Sequence, residues 1–372
     1  MRFRLSVLLL LGLAADAATQ SRELAALERA TELAPSRPSA WYALGQAYNV
    51  IKQDAMRTFD NSGDVAWQQL LFADALRAGG KLTEAFTQYR GVLERLPAVV
   101  SIHDSIAAIY EQSGHPDWAA RERATAARMV LDCAERTALC EFQAGRYRDA
   151  LTAAMRQSDP ESRYVRARAA NELALAAFKQ LEALDDSPER RTVRATIARA
   201  EERYLDAIAE LEAALAFVPG NPALVAELGS AYYQARAFDR AIATLSPLLT
   251  TRPDDPQLLK ITGFSLVQLR RLDEAVPILR RASERDVRDP GPRLALGRAY
   301  LHGGDFARAI QLIEAELASD RDGSLHGQLA RAYAGLNQKD KAAALLARSQ
   351  DIQRAADERA REAARRTITP PK

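Results

Sequence analysis

The chain has 372 residues, room for two or three ordinary domains, and it is 48% hydrophobic, 27% charged and only 6% aromatic. About a fifth of it is alanine, which with 18 Gly and 16 Pro excludes collagen-like structure, wholesale disorder and a disulfide scaffold, and points to many helices. Its 51 Lys+Arg against 49 Asp+Glu leave a formal charge of +2, too small an excess to draw in nucleic acid or an anionic membrane. The chain opens on two cations, Arg2 and Arg4, then an apolar run from Leu5 to Leu13 and the small-residue pattern Ala15-Asp16-Ala17. This is the order of a secretory signal peptide over residues 1–17. The run is shorter than the roughly 18 apolar residues of a spanning helix. No Cys follows it to take a lipid. The mature chain is therefore expected to begin near Ala18, in the periplasm or outside the cell, with no membrane span after cleavage.

Residues 18–34 read as a capping helix, with Leu24, Leu27 and Ala30 on one side. From 35 to 350 the chain repeats on a period of about 34 residues. Trp41-x2-Leu44-Gly45-x2-Tyr48 opens one unit, and Leu228-Gly229-x2-Tyr232, Leu296-Gly297-x2-Tyr300 and Leu329-Ala330-x2-Tyr333 follow. The last three lead, nine residues on, to Ala241, Ala309 and Ala342, then to Leu245, Ile313 and Leu346. Prolines at Pro97, Pro219 and Pro253 end units. The units fall near 35–97, 100–130, 134–158, 161–219, 222–253, 256–287, 290–321 and 323–350. Two are enlarged by a further helical stretch, Ile51 to Phe59 in the first and up to Phe178 in the fourth. A shift of 122 residues aligns Pro38 with Pro160, Tyr42 with Tyr164, Asn49 with Asn171 and Pro97 with Pro219. An internal duplication accounts for this; the alternative is that repeats of one kind match at many shifts.

The pattern resembles the tetratricopeptide repeat, W-x2-L-G-x2-Y…A-x3-F…P, and it recurs in register. The resemblance implies an all-α, superhelical solenoid of helix-turn-helix units. Each unit has one apolar stripe per helix and cannot bury it alone, so stacked neighbours form a continuous core. Residues 351–372 complete the chain as a solvated charged helix and a frayed tail, Thr367 to Lys372. Cys133 and Cys140, seven apart in a stretch that reads as helix, would stand about 10 Å apart along the axis. That exceeds the 4.4–6.8 Å a disulfide tolerates between Cα atoms, so free, buried thiols are expected.

No catalytic constellation is legible. His103, His115, His302 and His326 form no metal-ligand spacing, and no nucleophile elbow, phosphate loop or dinucleotide fingerprint occurs. The histidines read as surface residues. The chain reads as non-enzymatic, without cofactor or metal. Its expected role is a protein-interaction scaffold whose concave groove, in similar proteins, holds an extended peptide or partner helix. Position nine of the first helices is Gln46, Arg168, Ser230, Phe264, Arg298 and Arg331, and position twelve gives Asn49 and Asn171. An Asn can hold a peptide backbone and an Arg can fork onto a carboxylate, so Gln46, Asn49, Arg168, Asn171, Arg298 and Arg331 are the candidate partner-binding set. The alternatives are an assembly factor for envelope or secreted complexes, an enzyme built from groove residues, and self-association through an exposed terminal face.

Overall fold

A computed structural model describes residues 17–62, 64–97, 99–129, 132–365 and 367–371. Residues 1–16 of the expected signal peptide lie outside them. Among the described residues every regular element is a helix. No described helix is long and apolar enough to cross a membrane. The described residues form two compact units, one drawn from residues 17–185 with the tail 367–371, the other from residues 186–365.

Unit 2 is a series of helical hairpins: α10 (Pro188–Ala200) with α11 (Tyr204–Phe217), α12 (Pro222–Gln234) with α13 (Phe238–Thr251), α14 (Pro256–Gln268) with α15 (Leu272–Arg285), α16 (Pro290–Gly303) with α17 (Phe306–Glu314), and α18 (Ser324–Gly335) with α19 (Lys339–Arg365). The first helices start where a capping side chain precedes a proline. Ser187, Asn221, Asp255 and Asp289 each accept a backbone N–H of the first turn. Proline at the first helical position loses no hydrogen bond there and presets φ. Each of the first four hairpins then turns through one left-handed residue, at Glu202, Arg236, Arg270 and Gly304, and only at Gly304 is that φ of +80° free of side-chain strain.

The second helices bury an Ala/Leu stripe: Ala207 and Leu211, Ala241 and Leu245, Ala275 and Leu279 are fully sealed. The repeat glycine of the first helix lies against that stripe. A Cβ on Gly229 would stand 2.3 Å from Leu245 Cδ2, and one on Gly263 2.5 Å from Leu279 Cδ2. Helix α12 also touches α14, α14 touches α16 and α16 touches α18, so these first helices line one face of the unit. The last repeat and the charged helix expected after it are a single helix, α19, because no Pro or Gly interrupts residues 339–365.

Unit 1 uses the same hairpins, α3 (Val65–Ala78) with α4 (Leu82–Leu93), α5 (Val100–Gln112) with α6 (Pro116–Ala127), and α7 (Thr137–Gln143) with α8 (Tyr147–Ala154). They sit between two long helices, α2 (Pro38–Ser62) and α9 (Pro160–Glu182), that pack on each other. The series therefore closes on itself instead of stacking only on sequence neighbours. Helix α1 (Ala17–Leu33) spans the stretch read as a cap and packs on α2. The enlarged part of the first unit is α2 itself, unbroken from Trp41 through Phe59. Helix bounds recur at the same shift as the sequence: α5 at 100–112 and α12 at 222–234, α4 from 82 and α11 from 204.

Three expectations are corrected here. Cys133 and Cys140 are not free buried thiols; they form a disulfide, with Cα atoms 5.7 Å apart. The helix begins only at Thr137, and Cys133 lies in an exposed turn ahead of it, where Asp132 accepts the N–H groups of Ala134 and Arg136. His103 is buried, its Nδ1 2.7 Å from Glu122 Oε2. The tail is not frayed: Ile368 packs on the unit 1 core, and Tyr110 donates its hydroxyl hydrogen to the Thr369 carbonyl at 2.6 Å.

Candidate functional site

The unit 1 members of the expected groove set lie on α2 and α9, the two helices that pack together. Gln46 and Asn49 are half-buried on α2. Asn171 on α9 accepts a hydrogen bond from Lys52 Nζ at 3.3 Å, and burial lowers the Lys52 pKa. Arg168 is committed internally. Its guanidinium pairs with Asp74 and stands 5.5 Å over the Phe142 ring. Asp74 is 7% exposed and also accepts from Tyr89 at 2.5 Å and Tyr164 at 3.0 Å. Burial first, then the Asp74 charge, raises the pKa of both phenols, which keeps them hydrogen-bond donors. This network joins α3, α4 and α9, and it satisfies the charge that would otherwise be offered to a partner.

In unit 2 the corresponding positions differ along the row. Ser230 on α12 accepts from Arg199 at 3.3 Å. Phe264 on α14 lies under Lys260, whose ammonium is 5.9 Å from the ring centre and 2.6 Å from Asp289. Arg298 on α16 and Arg331 on α18 are different in kind: among the described residues neither makes an ion pair, and Arg298 Nε is a buried donor without an acceptor. Arg270, at the turn after α14, brings a third guanidinium, and His302 lies one turn beyond Arg298 on the same helix face. Burial, then the positive charges of Arg270, Arg331 and Arg298, lower the His302 pKa. The three guanidinium groups are thus near enough to His302 for their charges to act on it.

Arg270 and His302 were absent from the sequence-derived set. The signal for His302 was its i+4 relation to Arg298. Arg270 gave none, because a left-handed turn position is filled by Glu202, Arg236 or Gly304 in the neighbouring hairpins.

A second histidine–carboxylate pair lies elsewhere in unit 2. An open cleft of about 590 Å³ beside α19 holds His326 and Asp320, Nδ1 to Oδ2 2.6 Å. Burial works to raise the Asp320 pKa, but the His326 side chain and the backbone N–H groups of His326 and Leu325 outweigh it and lower it. The lining residues include no Ser, Thr or Cys to serve as a nucleophile. Among the described residues no cluster of three His, Cys, Asp or Glu has the arrangement to hold a metal ion.

Family models described as tetratricopeptide repeat match residues 198–262 and 263–324. No curated protein matches the sequence. Solved structures of MamA resemble part of the chain. That of MamA from MSR-1 is 23% identical, covers 45% of this chain and 98% of its own, and has a TM-score of 0.40. For MamA from AMB-1 the values are 25%, 44%, 98% and 0.41. For residues 41 to the end of MamA from Desulfovibrio magneticus RS-1 they are 17%, 46%, 98% and 0.43.

Proposed function

We propose that this chain, whose residues 198–262 and 263–324 match tetratricopeptide-repeat models, acts as a non-catalytic interaction scaffold whose unit 2 receives an acidic segment of a partner protein. The observation that carries the reading is the set Arg270, Arg298, Arg331 and His302. Among the described residues Arg298 and Arg331 make no ion pair, Arg298 Nε is a buried donor without an acceptor, and burial followed by the charges of Arg270, Arg331 and Arg298 lowers the His302 pKa. A guanidinium donates two parallel N–H bonds to a carboxylate, and such charge-assisted bonds are about twice as strong as neutral ones. The groups are held on helices and a tight turn, so little ordering is lost when a partner arrives. An assembly factor for envelope or secreted complexes is the same mechanism with a particular partner.

We place the protein outside the cytoplasm. The leader-like first 17 residues support this, and so does a disulfide between Cys133 and Cys140, a bond that persists in oxidising compartments.

The test is the double variant Arg298→Glu/Arg331→Glu, titrated with end-labelled acidic peptides carrying a free C-terminal carboxylate. Binding should weaken at least tenfold while the helical circular dichroism stays that of the parent. Equal binding by parent and variant would sink the reading.

A further inference from the structure

Three repeat tyrosines near the ends of first helices turn their hydroxyls to a carboxylate about one helix earlier, whereas at Tyr300 the residue there is Arg280, which donates to the hydroxyl at 3.4 Å. Tyr48 donates to Glu28, Tyr232 to Glu212 and Tyr333 to Glu314, each at 2.6 Å. At Tyr110 the equivalent earlier residue is Arg90, which has no acceptor to offer and instead faces Glu122 at 4.0 Å. The Tyr110 hydroxyl donates to the Thr369 carbonyl, from the far end of the chain. Tyr110 is fully buried, and the acceptor that its hydroxyl meets is a peptide carbonyl.

The surroundings suit such a peptide. Tyr110 lies between Phe86 and Trp118, ring centres 5.5 Å away in both cases, and His115 stacks on Trp118 at 3.9 Å. Three helices, α4, α5 and α6, thus build one aromatic face. The segment seated there is Thr367-Ile368-Thr369-Pro370-Pro371, with Ile368 packed on the core and Pro371 half-buried. Prolines hold their own φ, and the residue before a proline is biased to extended backbone, so the segment arrives nearly straight. Prolines also lack an N–H. A peptide of this kind therefore presents carbonyl acceptors, and a buried tyrosine hydroxyl among aromatic rings is a matching donor.

We propose that the Phe86–Tyr110–Trp118 face of unit 1 is a recognition site for an extended segment with a β-branched residue, a threonine and then proline. The chain's own tail holds that site in cis, and a partner segment of the same chemistry enters by displacing it. The residues concerned are all in unit 1, separate from Arg298 and Arg331, so the double variant above leaves this site intact. A tail on the same chain competes at a concentration set by its tether, whatever the bulk protein concentration.

The test uses the full chain. A fluorescent peptide of residues 366–372 is titrated by anisotropy against the parent, against Ile368→Glu and Ile368→Ser, and against Ile368→Glu combined with Tyr110→Phe. The expected result is binding at least tenfold tighter to both Ile368 variants than to the parent, falling several-fold when the Tyr110 hydroxyl is removed. The idea is overturned if parent and Ile368 variants bind alike or not at all, or if Tyr110→Phe changes nothing. Loss of helical circular dichroism in both Ile368 variants would overturn it too, since the tail would then be a fixed part of the core. A parent that elutes as a dimer and becomes monomeric on Ile368→Glu would place the tail in a second copy and overturn the cis arrangement.

Discussion

Gly45 lies directly beneath the ring of Phe178: a Cβ built on it would stand 2.4 Å from Cε1, across the packing of α2 on α9. In unit 2 the repeat glycines meet a branched side chain of their own hairpin, Gly229 meeting Leu245 and Gly297 meeting Ile313. The same sequence mark thus serves a different partner in unit 1. Overpacking costs about 1–3 kcal/mol, and Ala gains about 1 kcal/mol over Gly in a helix. Gly45→Ala should lower stability by about 1 kcal/mol net, and Gly229→Ala by more, because it meets the branch point of a sealed leucine at 2.5 Å. Gly91, also inside a helix but with nothing within 4 Å of its added Cβ, should gain about 1 kcal/mol. Denaturation midpoints of the three variants give the ordering. A Gly45→Ala midpoint as high as that of Gly91→Ala would rule out the α2–α9 approach.

Asp74 and Arg168 provide a sharper separation of structure from binding. Removing one partner of a buried ion pair typically costs about 3–5 kcal/mol, because the other charge is left uncompensated. Asp74→Ala additionally strips the acceptor from Tyr89 and Tyr164. Both Asp74→Ala and Arg168→Ala should therefore destabilise unit 1 strongly in urea or thermal unfolding. Neither should alter acidic-peptide binding at unit 2 in whatever fraction remains folded. An Arg168→Ala chain of parental stability would return that residue to the groove.

The helix pairs were legible because their marks are local: a cap before proline, a small residue at the close approach, and an apolar residue every three or four positions. What escaped was non-local. Nothing in the spacing of Arg168 indicates that Asp74, more than 90 residues earlier, comes to meet it. Nothing in Thr367 to Pro371 announces Tyr110. The cysteines were misread for a local reason. A bridge is impossible only if helix runs through Cys133, whereas the helix starts at Thr137 and the preceding turn folds the chain back. Arg298 and Arg331 were legible as a pair by repeat position. Arg270 was not, since only the folded hairpin carries its turn toward α16.

The Cys133–Cys140 bond closes a small loop, so its contribution through the unfolded chain is about 2–3 kcal/mol. Cys133→Ser/Cys140→Ser should lower the unfolding midpoint accordingly and increase amide exchange in α7 and α8, the shortest α-helical hairpin of unit 1. The intact chain from an oxidising compartment should be lighter than its reduced form by two hydrogens. A native mass carrying both thiols would contradict the bond.

His302 offers a titration that reads the cationic region directly. Its pKa in the fold is lowered by burial and by Arg270, Arg331 and Arg298, so its nuclear resonance titration should have its midpoint below the ordinary value of about 6.5. In the window between the two values the unfolded chain holds more protons than the folded one. Stability contributed here is therefore present above the unfolded pKa, falls as pH drops through the window, and stops changing below the folded value. A carboxylate bound between Arg298 and Arg331 would offset the repulsion and move the His302 midpoint upward. Arg298→Glu/Arg331→Glu should raise it without ligand, since two of the three charges that disfavour the imidazolium are replaced by charges that favour it. A midpoint indifferent to both the peptide and the double variant would show that the four groups do not share a field, and the acidic-partner reading would lose its footing.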